Sequence, residues 1–156
     1  MNSTPSDQPY WVSADPVDLF AYGTLQFPEV LRVLLGRSPS TSPAAVAGWR
    51  VAALPGQIYP ALVPAPPTSR AVGHLVTGLS PMEWRTLDAF EDHLYDLRRL
   101  TLTDGRVAWA YICSDSASAS PDDWDLHGFE RCHLTEYLKR CAAWRRSQSV
   151  KPNEPQ

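Results

Sequence analysis

A chain of 156 residues with 44% hydrophobic and 20% charged side chains is long enough for one domain with a core of its own, held without disulfides or metal. Fifteen prolines against eight glycines exclude a helical bundle along the whole length. A net charge of −3 is no electrostatic footprint for nucleic acid or an anionic membrane surface, and no run approaches the roughly 18–20 apolar residues that span a bilayer.

Residues 1–17 read as a flexible leader, polar and proline-bearing, without the basic and apolar regions of a signal peptide. The apolar run Asp18 to Tyr22, closed by Gly23, predicts a buried strand feeding a tight loop. From Phe27 to Leu35 the spacing of Val30, Leu31, Leu34 and Leu35 predicts a helix, with Pro28 in its first turn and Gly36 past its end. Ser38 to Ala47, rich in serine and proline, reads as a loop. Strands follow at 48–54, 59–63 and 71–79, the first two separated by a Pro55-Gly56 turn. Ser80, Pro81 and Glu83 form a capping box that opens the next helix. A hairpin with a two-residue Asp104-Gly105 turn joins strands at 97–103 and 106–113. After a low-complexity loop from Ser114 to Asp123, one amphipathic helix is predicted over 129–146, carrying Leu134, Tyr137, Leu138, Cys141 and Trp144 on one face.

The order of strand, helix, three strands, helix, two strands, helix is not the alternation of a doubly wound sheet. It implies an α+β class with a curved, mixed or antiparallel sheet. Residues 18–147 form the single domain and 148–156 a flexible tail. Three widely spaced cysteines, Cys113, Cys132 and Cys141, fit free thiols in a reducing compartment, so a cytoplasmic protein is expected.

Several machines are excluded by their missing motifs. The chain has no phosphate-binding glycine loop, no dinucleotide fingerprint, no G-x-S-x-G elbow and no C-x-x-C or H-E-x-x-H pair. Adjacent Cys132 and His133 point roughly 100° apart on a helix, a poor chelate, and no metal site is expected. His74, within an apolar run, reads as a hydrogen-bonded structural histidine.

Two features remain. One is Tyr22-Gly23-Thr24-Leu25, where a glycine turn and a following helix start let backbone N–H groups approach a bound anion, the commoner alternative for such a junction being a plain turn. The other is Leu87-Asp88-Ala89-Phe90-Glu91-Asp92, a carboxylate beside Leu and Phe with a second acid nearby. Desolvation and like charge there raise a carboxyl pKa, which suits a proton shuttle. Read from the residues alone, the plainer alternative is a solvated helix end bearing three acids.

The segments Phe20-Ala21-Tyr22-Gly23-Thr24-Leu25, Ile58-Tyr59-Pro60-Ala61-Leu62-Val63-Pro64, Gly73…Gly78-Leu79-Ser80 and Leu87-Asp88-x-Phe90-Glu91-Asp92-x-x-Tyr95, in this order, resemble the γ-glutamylcyclotransferase-like superfamily. The plant avirulence-induced branch and its bacterial relatives fit in particular, with Trp124-Asp125 and later His133 adding to the likeness. The resemblance implies a compact mixed or antiparallel β-barrel with flanking helices. It implies that Tyr22, Gly23, Thr24 and Leu25, extending into Gln26 and Phe27, hold a γ-glutamyl group, that Glu91 is the general acid/base, and that Tyr59 and Tyr95 wall the pocket. No cofactor is implied. The expected partner is a small γ-glutamyl amine or amino acid, cyclised to 5-oxoproline by a monomer or weak homodimer. The competing readings are a non-catalytic ligand-binding or stress-response protein, and a γ-glutamyl deprotecting enzyme of a biosynthetic pathway. One departure is Leu97, two positions after Tyr95, where the family commonly carries arginine: if that arginine is structural, Arg98 or Arg99 is the expected substitute, and if it recognises a substrate carboxylate, a different preferred substrate or a loss of activity is expected.

Overall fold

The protein is described by a computed structural model over residues 17–91, 95–113 and 118–150; most of the expected leader, Asp92, the stretch 114–117 and residues 151–156 lie outside the described residues. Its elements are β1 (Leu19–Ala21), a 3-10 turn (Thr24–Gln26), α1 (Pro28–Leu35), β2 (Ser40–Ala47), β3 (Trp49–Ala53), β4 (Pro60–Pro64), β5 (Arg70–Thr77), α2 (Pro81–Phe90), β6 (Tyr95–Thr101), β7 (Val107–Cys113), α3 (Leu126–Cys132) and α4 (Leu134–Val150). Among these no helix is long and apolar enough to cross a membrane.

The class is α+β. Five strands form one mixed sheet in the order β2-β5-β1-β7-β6, with β1 antiparallel to β5 and parallel to β7. The sheet stays open, with β2 and β6 at its edges, so the expected barrel is not closed; β3 and β4 make a separate ribbon laid against β5 and β7.

Strand β1 positions the site because it is buried on both faces. Successive side chains of a strand point to opposite faces. Leu19 and Ala21 therefore join the larger core under the helices, with Val30, Leu31, Leu34, Trp84, Leu87, Phe129 and Cys141. Phe20 and Tyr22 join the core under the ribbon, with Leu62, Leu75, Ala108, Ala110 and Ile112. Strand β7 divides likewise: Ala108, Ala110 and Ile112 on one side, Trp109 and Tyr111 on the other.

Helix ends follow their sequence signals. Gly36 closes α1 in the left-handed conformation, φ 82°, with its N–H bonded to the Arg32 carbonyl. At α2 the Ser80 hydroxyl accepts from the Glu83 N–H while the Glu83 carboxylate accepts from the Ser80 N–H. Arg37 then grips both Glu83 oxygens at 2.6 and 2.7 Å, tying the end of α1 to the start of α2 and lowering the Glu83 pKa through that hydrogen-bonded pair.

Three expectations are corrected. Residues 40–47, read as part of a loop, are an eight-residue strand paired throughout with β5. It is an edge strand, where Pro43 forfeits a ladder donor at little cost. The hairpin turn is longer than two residues: the Leu102 N–H bonds the Arg106 carbonyl at 2.7 Å, leaving 103–105 as the link with Gly105 at φ 91°. The last helix is two, broken at His133 (φ −128°, ψ −21°), and α4 continues to Val150, into the segment expected as tail.

Candidate active site

Tyr22 leaves the end of β1, and the chain turns at once. The Gln26 N–H bonds the Gly23 carbonyl at 3.1 Å and the Phe27 N–H bonds that of Thr24 at 3.3 Å, so Thr24–Gln26 forms a single 3-10 turn. The amides of Thr24 and Leu25 open this turn and have no intrahelical acceptor. Gly23 is required by packing: a Cβ there would stand 2.9 Å from Pro60 Cγ and 3.0 Å from Cδ. The proline of the Tyr59-Pro60 segment thus presses on the site loop.

A cleft of about 340 Å³ opens over this loop. Its floor is β1 with Tyr22, Gly23, Thr24 and Leu25; Tyr59, Pro60 and Tyr95 form one side, Phe90, Glu91 and Tyr111 another, and Tyr137, Arg140 and Trp144 of α4 the third. The volume suits a small molecule. Among the described residues, Glu91 and Arg140 are the only charged ones of this lining.

The structure therefore brings Glu91 together with Tyr22, Gly23, Thr24 and Leu25, and with Tyr59 and Tyr95. Glu91 caps the C-terminus of α2, half-buried, its N–H bonded to the Leu87 carbonyl at 2.9 Å. Gln26 and Phe27 lie outside the cleft wall and support it from behind. Gln26 donates to the Tyr22 carbonyl at 2.8 Å and meets His74 Nδ1 at 3.0 Å through Oε1, which gives His74 the structural bond expected of it. Phe27 packs on Phe129, ring centroids 5.5 Å apart.

Hydroxyl groups fix the walls. Tyr22 donates to the Tyr111 carbonyl, Tyr95 to the Pro60 carbonyl at 2.7 Å, and Tyr111 to Asp88 Oδ1 at 2.6 Å. The hydroxyls of Thr24 and Tyr137 meet at 3.1 Å, which fastens α4 to the site loop. Burial pushes the phenols of Tyr22, Tyr111 and Tyr137 well above the usual tyrosine range, and the negative charge of Glu91 adds to the rise at each. All three are neutral hydrogen-bonding groups at physiological pH.

Asp88 is not itself part of the cleft lining and meets it through Tyr111. Burial raises its carboxyl pKa, and the bond from Tyr111 opposes that rise. A carboxyl raised on folding holds its proton to higher pH than in the unfolded chain. Stability is therefore lost as pH climbs from the ordinary value of 3.8 toward the folded one. The substitution Asp88→Asn keeps an acceptor for Tyr111 and removes the charge. It is expected to raise the melting temperature by a degree or so at pH 7, on the order of 0.5 kcal/mol for a half-exposed group. In melts at several pH values the gain should vanish near pH 3.5; a gain independent of pH would show that burial of the charge is not its source.

Arg98 and Arg99 do not take the place of the expected arginine. Along β6, Arg98 projects to the face opposite Tyr95 and Leu97, and both arginines are exposed and absent from the lining, while Leu97 packs on the larger core. Arg140 was not legible as a site residue. The available signal was its place at the margin of the α4 stripe, three residues after Tyr137 and four before Trp144, where a core helix has no use for a guanidinium.

A family model described as gamma-glutamyl cyclotransferase, AIG2-like, matches residues 19–128. The chain is similar to AIG2-like protein C of Arabidopsis thaliana, 40% identical over 111 residues that cover 71% of this chain and 64% of that protein, so the match spans less than two thirds of that relative. It is also similar to AIG2-like protein D of the same plant, 29% identical over 134 residues covering 78% of this chain and 84% of that protein. A solution structure from Arabidopsis thaliana superimposes with a TM-score of 0.61 at 24% identity, covering 92% of this chain and 97% of that one. A gamma-glutamyl cyclotransferase superimposes with a TM-score of 0.57 at 16% identity, covering 83% and 88%.

Proposed function

Because the chain belongs to the gamma-glutamyl cyclotransferase, AIG2-like family, we propose that it cyclises the γ-glutamyl group of a γ-glutamyl amine or amino acid to 5-oxoproline and releases the amine. The observation that supports this reading is that Glu91 and the Tyr22–Leu25 loop line the same cleft.

The substrate's α-amine attacks its own γ-carbonyl carbon. The new N–C bond closes a five-membered ring, and the bond from that carbon to the departing nitrogen breaks. No protein nucleophile is needed, because the reacting groups belong to one molecule and their encounter entropy is already met. What the protein supplies is orientation and a proton path. Glu91 takes the proton lost by the attacking amine and returns it to the leaving nitrogen. The amides at the head of the 3-10 turn orient the γ-glutamyl group and stabilise negative charge developing on the carbonyl oxygen. Tyr22 and Tyr137, both neutral, hold the floor and wall at fixed separation.

The test is release of 5-oxoproline from γ-glutamyl-alanine, γ-glutamyl-ε-lysine and γ-glutamyl-ethylamine. Turnover of at least one is expected. A folded protein that binds these compounds and releases no 5-oxoproline would overturn the reading in favour of a ligand-binding protein.

A further inference from the structure

The cleft lining runs from buried residues to exposed ones, and the two charges among its described residues differ in sign. Tyr22, Thr24 and Leu25 are buried, Trp144 is half-buried and Arg140 is exposed. The Arg140 guanidinium carbon sits 5.6 Å from the centre of the Tyr137 ring, and Tyr137 is itself pinned to Thr24. Phe90, next to Glu91, packs edge-on to Trp144 at 5.1 Å and to Tyr137 at 6.4 Å, so α4 lies directly against the corner that carries the carboxylate. Among the described residues no carboxylate pairs with Arg140. The cation is thus held over an anchored ring, at the exposed part of the lining that Glu91 shares.

We propose that Arg140 recognises a carboxylate on the departing half of the substrate, so that this protein selects γ-glutamyl amino acids over γ-glutamyl amines. The inference rests on the cyclotransferase reading and adds to it the class of leaving group. A γ-glutamyl group seated on the buried loop, with its γ-carbonyl near Glu91, sends its amide substituent toward the exposed part of the lining. An amino acid there carries its carboxylate one carbon from the departing nitrogen, which is where a planar two-pronged donor is useful. An amine of the same size offers Arg140 nothing.

Matched substrates test this: γ-glutamyl-alanine and γ-glutamyl-ethylamine differ by the departing carboxylate alone. Both keep the glutamyl carboxylate, so any difference between them belongs to the leaving half. The wild-type protein is expected to favour γ-glutamyl-alanine in kcat/KM by at least about tenfold at low salt, and less as salt screens the pair. In Arg140→Met the ratio should fall to within about threefold, chiefly through a higher KM for γ-glutamyl-alanine, and Arg140→Lys should recover part of it. A wild-type ratio near one, or an equal loss on both substrates in Arg140→Met, overturns the inference. If neither substrate yields 5-oxoproline, it is the cyclotransferase reading that fails. Calorimetric titration of the same two compounds then decides the role of Arg140. Tighter binding of γ-glutamyl-alanine that disappears in Arg140→Met upholds carboxylate recognition; equal or absent binding ends it.

Discussion

The substitution Glu91→Gln is expected to lower the rate of 5-oxoproline release by about 10²–10⁴-fold, the range that a positioned general acid/base contributes, while ligand affinity changes by only a few-fold. The change is nearly isosteric. Glu91 occupies a helix cap with φ −67° and ψ 143°, a conformation that glutamine adopts without cost, and its backbone bond to Leu87 is indifferent to the side chain. Removing the charge also creates no new ion in the cleft, since Tyr22, Tyr111 and Tyr137 stay protonated on account of burial. Loss of rate with retained binding, read by product release alongside calorimetry, separates a lost proton carrier from a damaged site. Wild-type turnover by a well-folded Glu91→Gln protein would sink the mechanism.

A second large effect is expected far from any charge. Gly73 lies on β5 where the end of β1 passes over it, and a Cβ at that position would stand 2.3 Å from the Ala21 carbonyl oxygen and 3.1 Å from Tyr22 Cα. Both obstacles are backbone, so no rotamer change relieves the clash, and β1 must shift where it delivers Tyr22 to the site loop. Gly73→Ala is expected to cost about 3 kcal/mol, at the upper end of overpacking effects. For a domain of this length that is a fall of roughly 6–12 °C in melting temperature. Affinity for γ-glutamyl compounds should fall with it. Val72→Ala, at an exposed neighbour on the same strand, is the control and should melt within about a degree of wild type. A Gly73→Ala protein that melts with that control would mean the two strands have room to separate.

The sequence makes the local signals of this fold readable and hides those set by pairing. The capping box at Ser80, Pro28 at the head of α1 and Gly36 at its end act within a turn or two of chain, and each lies where its chemistry places it. Residues 40–47 have the composition of a loop and become a strand only because β5 offers eight residues to pair with. The site divides in the same way. The loop and Glu91 lie in short contiguous motifs. Tyr111, Tyr137, Arg140 and Trp144 reach the cleft from elements distant in sequence, and Tyr137 meets Thr24 across 113 positions of chain. No local pattern reports such a meeting. Arg140 alone left a trace, as a charge at the margin of an apolar stripe.

Helix α4 begins after the last residue of the family match, yet the larger core contains Leu134, Tyr137 and Cys141 from it, and Phe129 from α3. The folded unit thus extends past the end of the family match. The matched segment supplies the loop and Glu91; α4, which lines the same cleft through Tyr137, Arg140 and Trp144, lies beyond it. Substitutions at the exposed positions of α4 can therefore reshape the cleft without touching the loop or Glu91, so long as the core positions Leu134, Tyr137 and Cys141 are kept.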